Sequence, residues 1–147
     1  MARKSPKFKQ GYFQPKNPNK YRGKHIPIYR SGWELAFMRL CDDHPNVECW
    51  ASESHAIPYR NPFTGKMTRY IPDFLLSYAD KNGKKHIELV EVKPSKQAGI
   101  TESRSRKDKA AVILNKAKWD AAQEWCKRRG IKFRIVTENE IYHKPQK

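Results

Sequence analysis

The sequence predicts an α/β fold, a single domain in which helices pack beside a β-sheet, behind a basic extended N-terminal arm. Three observations predict it. The apolar periodicity changes along the chain from helical, to a series of short strand-like runs, to a long helical stretch and back to a strand, an order that builds a layered α/β domain. A length of 147 residues leaves room for one domain with a modest core and not for two. Residues 1–24 carry Arg3, Lys4, Lys7, Lys9, Lys16, Lys20, Arg22 and Lys24 with no acid, a composition that cannot bury enough apolar surface to fold alone. Residues 25–147 are therefore the domain.

Each element has its own signal. In the arm, Phe8, Tyr12, Phe13 and Tyr21 alternate with the cations, so it can lie along phosphates with aromatics stacked on bases, or dock on the domain. The first helix follows Tyr29, with Trp33, Ala36, Phe37 and Leu40 on one face, and Ser31 and Glu34 have the spacing of a capping box at its start. Val47 to Ser52 and His55 to Tyr59 read as strands, and Asn61 to Gly65 as a turn. Tyr70 to Tyr78 is an apolar strand through Phe74, Leu75 and Leu76, and the turn chemistry of Asp80, Lys81, Asn82 and Gly83 returns the chain antiparallel through His86 to Val92. Pro94 ends that ladder. Ser95 to Lys109 is a polar, basic loop leading into a helix from about Asp108 to Arg129, whose stripe is Val112, Ile113, Ala117, Ala121, Ala122, Trp125 and Cys126. Gly130 is placed as its C-cap, and Lys127, Arg128 and Arg129 complement the helix dipole. Ile131 to Val136 is the last strand, and Thr137 with Glu140 forms a second capping box opening a short terminal helix.

The chemistry concentrates on the central hairpin. An ionised Asp73 in the middle of an apolar strand is costly unless something pairs with it. On the next strand Ile87, Leu89, Glu91 and Lys93 share one face, with Glu88, Val90 and Val92 on the other, so the first face turns from apolar to ionisable at its end. Two carboxylates and one ammonium on adjacent strands make a metal site suited to cutting phosphodiesters. For so short a pattern the alternative is a surface hairpin with solvated charges.

Pro72, Asp73, Glu91, Val92 and Lys93 together resemble the PD-(D/E)XK nuclease motif. The resemblance extends in order through Asn17 to Gly23, Tyr29 to Glu34, Trp50 to Glu53, Ile57 to Tyr59, Arg69 to Phe74 and Val90 to Pro94, which is similar to the head completion nucleases of T4-like bacteriophages over roughly residues 10–100. More distantly the chain resembles the endonuclease subunit of Tn7-type transposition and phage Holliday-junction resolvases. The resemblance implies a PD-(D/E)XK nuclease-like domain with a central mixed β-sheet flanked by helices. It implies a DNA nuclease, endo- or exonucleolytic, acting on packaged DNA at head completion and head-to-tail joining. Its setting would be the host cytoplasm during virion assembly, or the virion itself, with phage head or neck proteins as partners. Asp73, Glu91 and the carbonyl of Val92 would hold Mg²⁺, with Mn²⁺ as the alternative, because such a cation takes hard oxygen ligands. Lys93 would orient or activate the attacking water. Glu34 matches the additional acid that these nucleases often carry on the helix before the sheet, with Glu53 as the reserve if Glu34 is only a cap. The competing readings are a non-catalytic DNA-binding head-completion protein, and a junction-resolving or transposase-type endonuclease.

Composition agrees with a nucleic-acid partner. Thirty-one Lys and Arg against fifteen Asp and Glu leave a formal charge of +16, enough to bind polyphosphate through counterion release. The arm cations named above and Lys96, with Gln97 beside it, are the DNA-binding candidates. Absence of a base-reading helix signature points to backbone contacts with little sequence preference. No apolar run is long enough to span a bilayer or to serve as a signal peptide, which predicts a cytosolic product without a membrane partner. Cys41, Cys49 and Cys126 suggest neither a disulfide framework nor zinc, and His55 reads as a packing or DNA-contact residue.

Overall fold

A computed structural model describes residues 10–93 and 106–137. Arg3, Lys4, Lys7 and Lys9 of the arm, Lys96 and Gln97 of the basic loop, and the expected helix beyond Thr137 lie outside the described residues. Along the chain come β1 (Gly11–Tyr12), a 3₁₀ turn (Pro18–Lys20), β2 (Ile28–Tyr29), α1 (Gly32–Asp43), β3 (Val47–Ser52), β4 (Ile57–Arg60), β5 (Met67–Tyr70), β6 (Phe74–Ala79), β7 (Lys85–Val92), α2 (Arg106–Arg129) and β8 (Lys132–Val136). The central sheet has the order β3-β6-β7-β8, antiparallel except for the parallel pairing of β7 with β8, and is thus the mixed sheet expected.

Alternation along the strands gives the sheet two apolar faces, each covered by a helix. Trp50, Phe74, Leu76, Val90, Val92 and Val136 pack with Phe37, Met38 and Cys41 of α1. Leu89 and Phe133 pack on the opposite face with Ala122 and Cys126 of α2. Gly130, in the left-handed region at φ +70, ends α2 as predicted; the Ile131 N–H donates to the Cys126 carbonyl at 2.9 Å. The Asp80–Gly83 turn is also as expected, with Asp80 Oδ1 accepting from the N–H groups of Asn82 and Lys84.

The structure corrects the sequence reading in four places. The run expected as one strand from Tyr70 to Tyr78 is two, because Pro72 has no N–H to give a ladder: β5 pairs with β4 in a separate hairpin, and β6 begins afresh at Phe74. Asp73 therefore stands at the entrance of β6 and not in its middle. The fourth strand starts at Ile57, leaving His55 outside it against the Trp125 ring at 5.4 Å. Leu40 and Ile113, expected in apolar stripes, are 39% and 50% exposed, and the buried face of α1 is Phe37, Met38, Cys41 and Asp42.

For residues 10–24 the docking alternative is the one observed. Phe13 is buried and its ring meets Trp50 edge-on at 5.9 Å, Tyr21 does the same at 4.7 Å, and β1 pairs with β2. The carboxylate of Asp42, itself 1% exposed, accepts from the N–H groups of Lys16 at 2.9 Å and Asn17 at 3.0 Å. Lys20 Nζ donates to the carbonyls of Asp42 and His44, so its ammonium already has protein partners. Lys16, Arg22 and Lys24 are exposed.

Candidate active site

The site forms where the start of α1 meets the ends of β3 and β7 and the entrance of β6. The antiparallel register of β6 and β7, with Phe74 opposite Val90, continues one step further to set Asp73 opposite Glu91. Asp73 is fixed there by its Oδ2, which accepts from the Val92 N–H at 2.8 Å. Glu91 is 6% exposed; its Oε1 accepts from the Tyr70 hydroxyl at 2.8 Å and its Oε2 lies 3.6 Å from Lys93 Nζ. Lys93 is anchored through its own N–H, which donates to the Val136 carbonyl on β8. The motif residues Asp73, Glu91, Val92 and Lys93 are thus brought together by two neighbouring strands.

Glu34 joins them from α1. Ser31 caps the helix, its Oγ accepting from the Glu34 N–H at 3.1 Å. The return half of the capping box is shifted by one residue, since Glu34 Oε1 accepts from the N–H of Arg30 and not of Ser31. Glu34 is at once a helix-start acceptor and a member of the acidic cluster. Glu53 is held nearby by Arg30, whose Nε and Nη2 reach the two carboxylate oxygens at 3.1 and 3.3 Å. Its backbone sits in the left-handed region at φ +48, a conformation costing about 1–2 kcal/mol for a non-glycine residue. The same residue donates its N–H to the Asp73 carbonyl at 2.9 Å, which ties the end of β3 to the entrance of β6.

These acids disturb one another. Burial pushes the Asp73 carboxyl well above the usual range, reinforced by the charges of Glu91 and Glu34 and opposed by the Val92 N–H and Lys93. Burial likewise raises Glu91 against the lowering effects of Lys93, the Tyr70 hydroxyl and Lys118. Glu34 is raised by burial, opposed first by the Arg30 N–H and raised further by the charges of Glu53 and Glu91. The adjacent carboxylates of Asp73 and Glu91 are the hard oxygen donors that a divalent cation such as Mg²⁺ takes, and a bound cation would relieve their repulsion. Among the described residues no group of three or more His, Cys, Asp or Glu side chains is placed to hold a metal ion, so a cation here would rest on Asp73 and Glu91 and take the rest of its shell from backbone oxygen and water.

Two participants escaped the sequence reading. Tyr70 orients Glu91 from the end of β5. Lys118, on α2, has its Nζ 5.7 Å from the centre of the Tyr70 ring, and its proton affinity is lowered by burial and by the charge of Lys93. Its signal was legible: Lys118 falls in register with Leu114, Ala121, Ala122 and Trp125, on the stripe of α2 that faces the core. Among the described residues no helix is long and apolar enough to cross a membrane.

Comparison with known proteins covers the same part of the chain. The family described as TnsA-like endonuclease N terminal matches residues 44–138, a span containing Asp73, Glu91, Lys93 and Lys118. The chain is also 36% identical over 140 residues to the head completion nuclease of Enterobacteria phage T4, covering 88% of this chain and 91% of that protein.

Proposed function

Because the chain belongs to the family of TnsA-like N-terminal endonuclease domains, we propose that it is a Mg²⁺-dependent DNA nuclease acting in phage head completion, as the name of its T4 relative indicates for that protein. The observation that carries the reading is the placement of Asp73 opposite the buried Glu91 at the ends of two neighbouring strands, with Lys93 Nζ 3.6 Å from the Glu91 carboxylate.

Asp73, Glu91 and the Val92 carbonyl would hold the cation, with Glu34 as an additional carboxylate. When bound, the cation would supply Lewis-acid stabilisation of a phosphodiester and lower the pKa of water. The chain's own groups do the rest. Lys93 donates to the attacking water or to a phosphoryl oxygen and offsets charge developing there. Tyr70 holds the Glu91 oxygen in place, and Val92 holds Asp73, so both carboxylates are oriented before substrate arrives. Lys118 adds a second positive charge on the α2 side of Glu91. Arg30 binds Glu53 and steadies the N-terminal end of α1 against the sheet. The net charge of +16 favours phosphodiester polymers as substrate.

The test is nicking of supercoiled plasmid by the purified full chain with and without Mg²⁺, alongside Glu91→Gln. The proposal requires nicking that needs the cation and disappears in the variant. A chain that binds the plasmid but never cuts it, at any Mg²⁺ or Mn²⁺ concentration, would instead be a structural head-completion protein.

A further inference from the structure

The β4–β5 hairpin stands apart from the central sheet. Its inner face, Ile57, Tyr59 and Tyr70, is buried in the cluster that includes Ala122 and Cys126 of α2. The opposite face carries Pro58 across from Arg69 and Arg60 across from Met67, and all four are exposed. From Ser54 to Pro72 there is no acidic residue, while Arg60, Lys66 and Arg69 are cationic and none of them is in an ion pair among the described residues. In the same segment Phe63 is 57% exposed, Met67 57% and Ile71 50%.

The tip that presents Phe63 is ordered by its own hydrogen bonds. Asn61 Oδ1 accepts from the N–H groups of Phe63 at 2.8 Å and Thr64 at 3.2 Å, Gly65 donates to the Asn61 carbonyl, and Arg60 Nη1 donates to the Gly65 carbonyl at 2.7 Å. An aromatic side chain held in water on a preorganised turn loses little entropy when it meets a partner. Both ends of the ribbon lead into the site: the chain enters it just after Glu53 and leaves it through Ile71 and Pro72 to Asp73.

We propose that this hairpin is a DNA grip that seats duplex beside the cleavage site, with Lys66 and Arg69 on phosphates and Phe63 against a base step in the groove. A two-stranded ribbon fits a duplex groove, and apolar side chains at such positions are used as wedges between base steps. The acid-free surface is complementary to the phosphate backbone. The inference rests on the proposed nuclease reading for its substrate, and it adds where the duplex is held.

It is tested by DNA binding in the full chain carrying Asp73→Asn, which spares the DNA. Affinity for a short duplex is measured against salt for this protein, for the same protein with Lys66→Gln and Arg69→Gln, and for the same protein with Phe63→Ala. The double change should reduce the slope of log affinity against log salt by about two units. Phe63→Ala should abolish the fluorescence rise that the parent induces in a duplex containing 2-aminopurine, the signature of a disturbed base step. All three side chains are exposed, so folding is not at stake. An unchanged salt slope overturns the inference and leaves the ribbon as a surface for a protein partner. An unchanged 2-aminopurine response overturns the role of Phe63. Failure of the nuclease reading is separable, because it appears as loss of cutting by the unsubstituted chain whatever the hairpin binds.

Discussion

At Asp73 the arrangement that suits a cation works against the cation-free fold. Its carboxyl is raised by burial and by the neighbouring charges of Glu91 and Glu34, so the folded state holds a proton more tightly than the unfolded chain does. The stability contributed by a raised carboxyl is fully present below the ordinary carboxylate pKa of about 4 and is lost as pH rises through the folded value. Cation-free protein should therefore gain stability from these groups on acidification from neutral pH. Asp73→Asn removes one repelling charge while leaving an amide oxygen for the Val92 N–H. At neutral pH in chelator it should stabilise the protein by about 1 kcal/mol, raising Tm by about 3 °C, and it should abolish plasmid nicking. A melting scan and a nicking assay on the same preparation check both, and a lowered Tm would contradict the electrostatic account. Glu34→Gln separates the two duties of that residue, because an amide oxygen still accepts from the Arg30 N–H. We expect a Tm that does not fall, and rises if anything because Glu34 too is raised by burial and by the charges of Glu53 and Glu91, together with a loss of nicking of about 100-fold, the scale on which a changed ligand or its support affects a metal site. Normal nicking would confine Glu34 to the start of α1.

At the level of elements, what could be read from the chain was local. The α1 start is written in Ser31 and Glu34, the end of α2 in Gly130, and the β6–β7 turn in Asp80 to Gly83, each a signal contained within a few residues. The motif residues Asp73, Glu91 and Lys93 could be placed at one site because strand alternation and hairpin register are also short-range. What was not legible depends on partners distant in sequence. Pro72 splitting one apolar run into β5 and β6 follows from which strand each half pairs with, and the run itself does not state that. Docking of residues 10–24 depends on Asp42, which sits in the last turn of α1, where the helix dipole disfavours an acid. That misfit was the available sign that Asp42 serves a neighbour. Asp42→Ala removes a buried acceptor for the N–H groups of Lys16 and Asn17, and we expect a loss of about 2–3 kcal/mol in urea unfolding. Asp42→Asn, which keeps one acceptor oxygen, should lose less, and equal losses would argue against these bonds as the cause.

Over the whole molecule the positive charge serves two purposes that the basic N-terminal segment divides. Residues 10–24 are part of the fold: Phe13 belongs to the core, and Lys20 is engaged by carbonyls at the end of α1. The cations of residues 2–9, namely Arg3, Lys4, Lys7 and Lys9, precede the docked portion in sequence, so their removal leaves the contacts described above for Phe13, Lys16, Asn17 and Lys20 in the chain. If all four meet phosphates, deleting residues 2–9 should flatten the slope of log affinity against log salt by up to about 3.6 units, at about 0.9 per contact. Cleavage at saturating DNA should persist, since the Asp73, Glu91 and Lys93 site lies entirely outside the deletion. Extending the deletion to residue 16 also removes Phe13 from beside Trp50 and the β1 pairing with β2, and the loss of a buried Phe alone costs about 3–5 kcal/mol. The longer truncation should therefore melt at a distinctly lower temperature than the shorter one, while its salt slope changes further by at most about 0.9, the share of the exposed Lys16. If the two truncations melt alike, the docked segment contributes no stability. If deletion of residues 2–9 leaves the salt slope unaltered, those four cations do not touch DNA phosphates, and the nonspecific affinity has to come from the exposed cations of the folded domain.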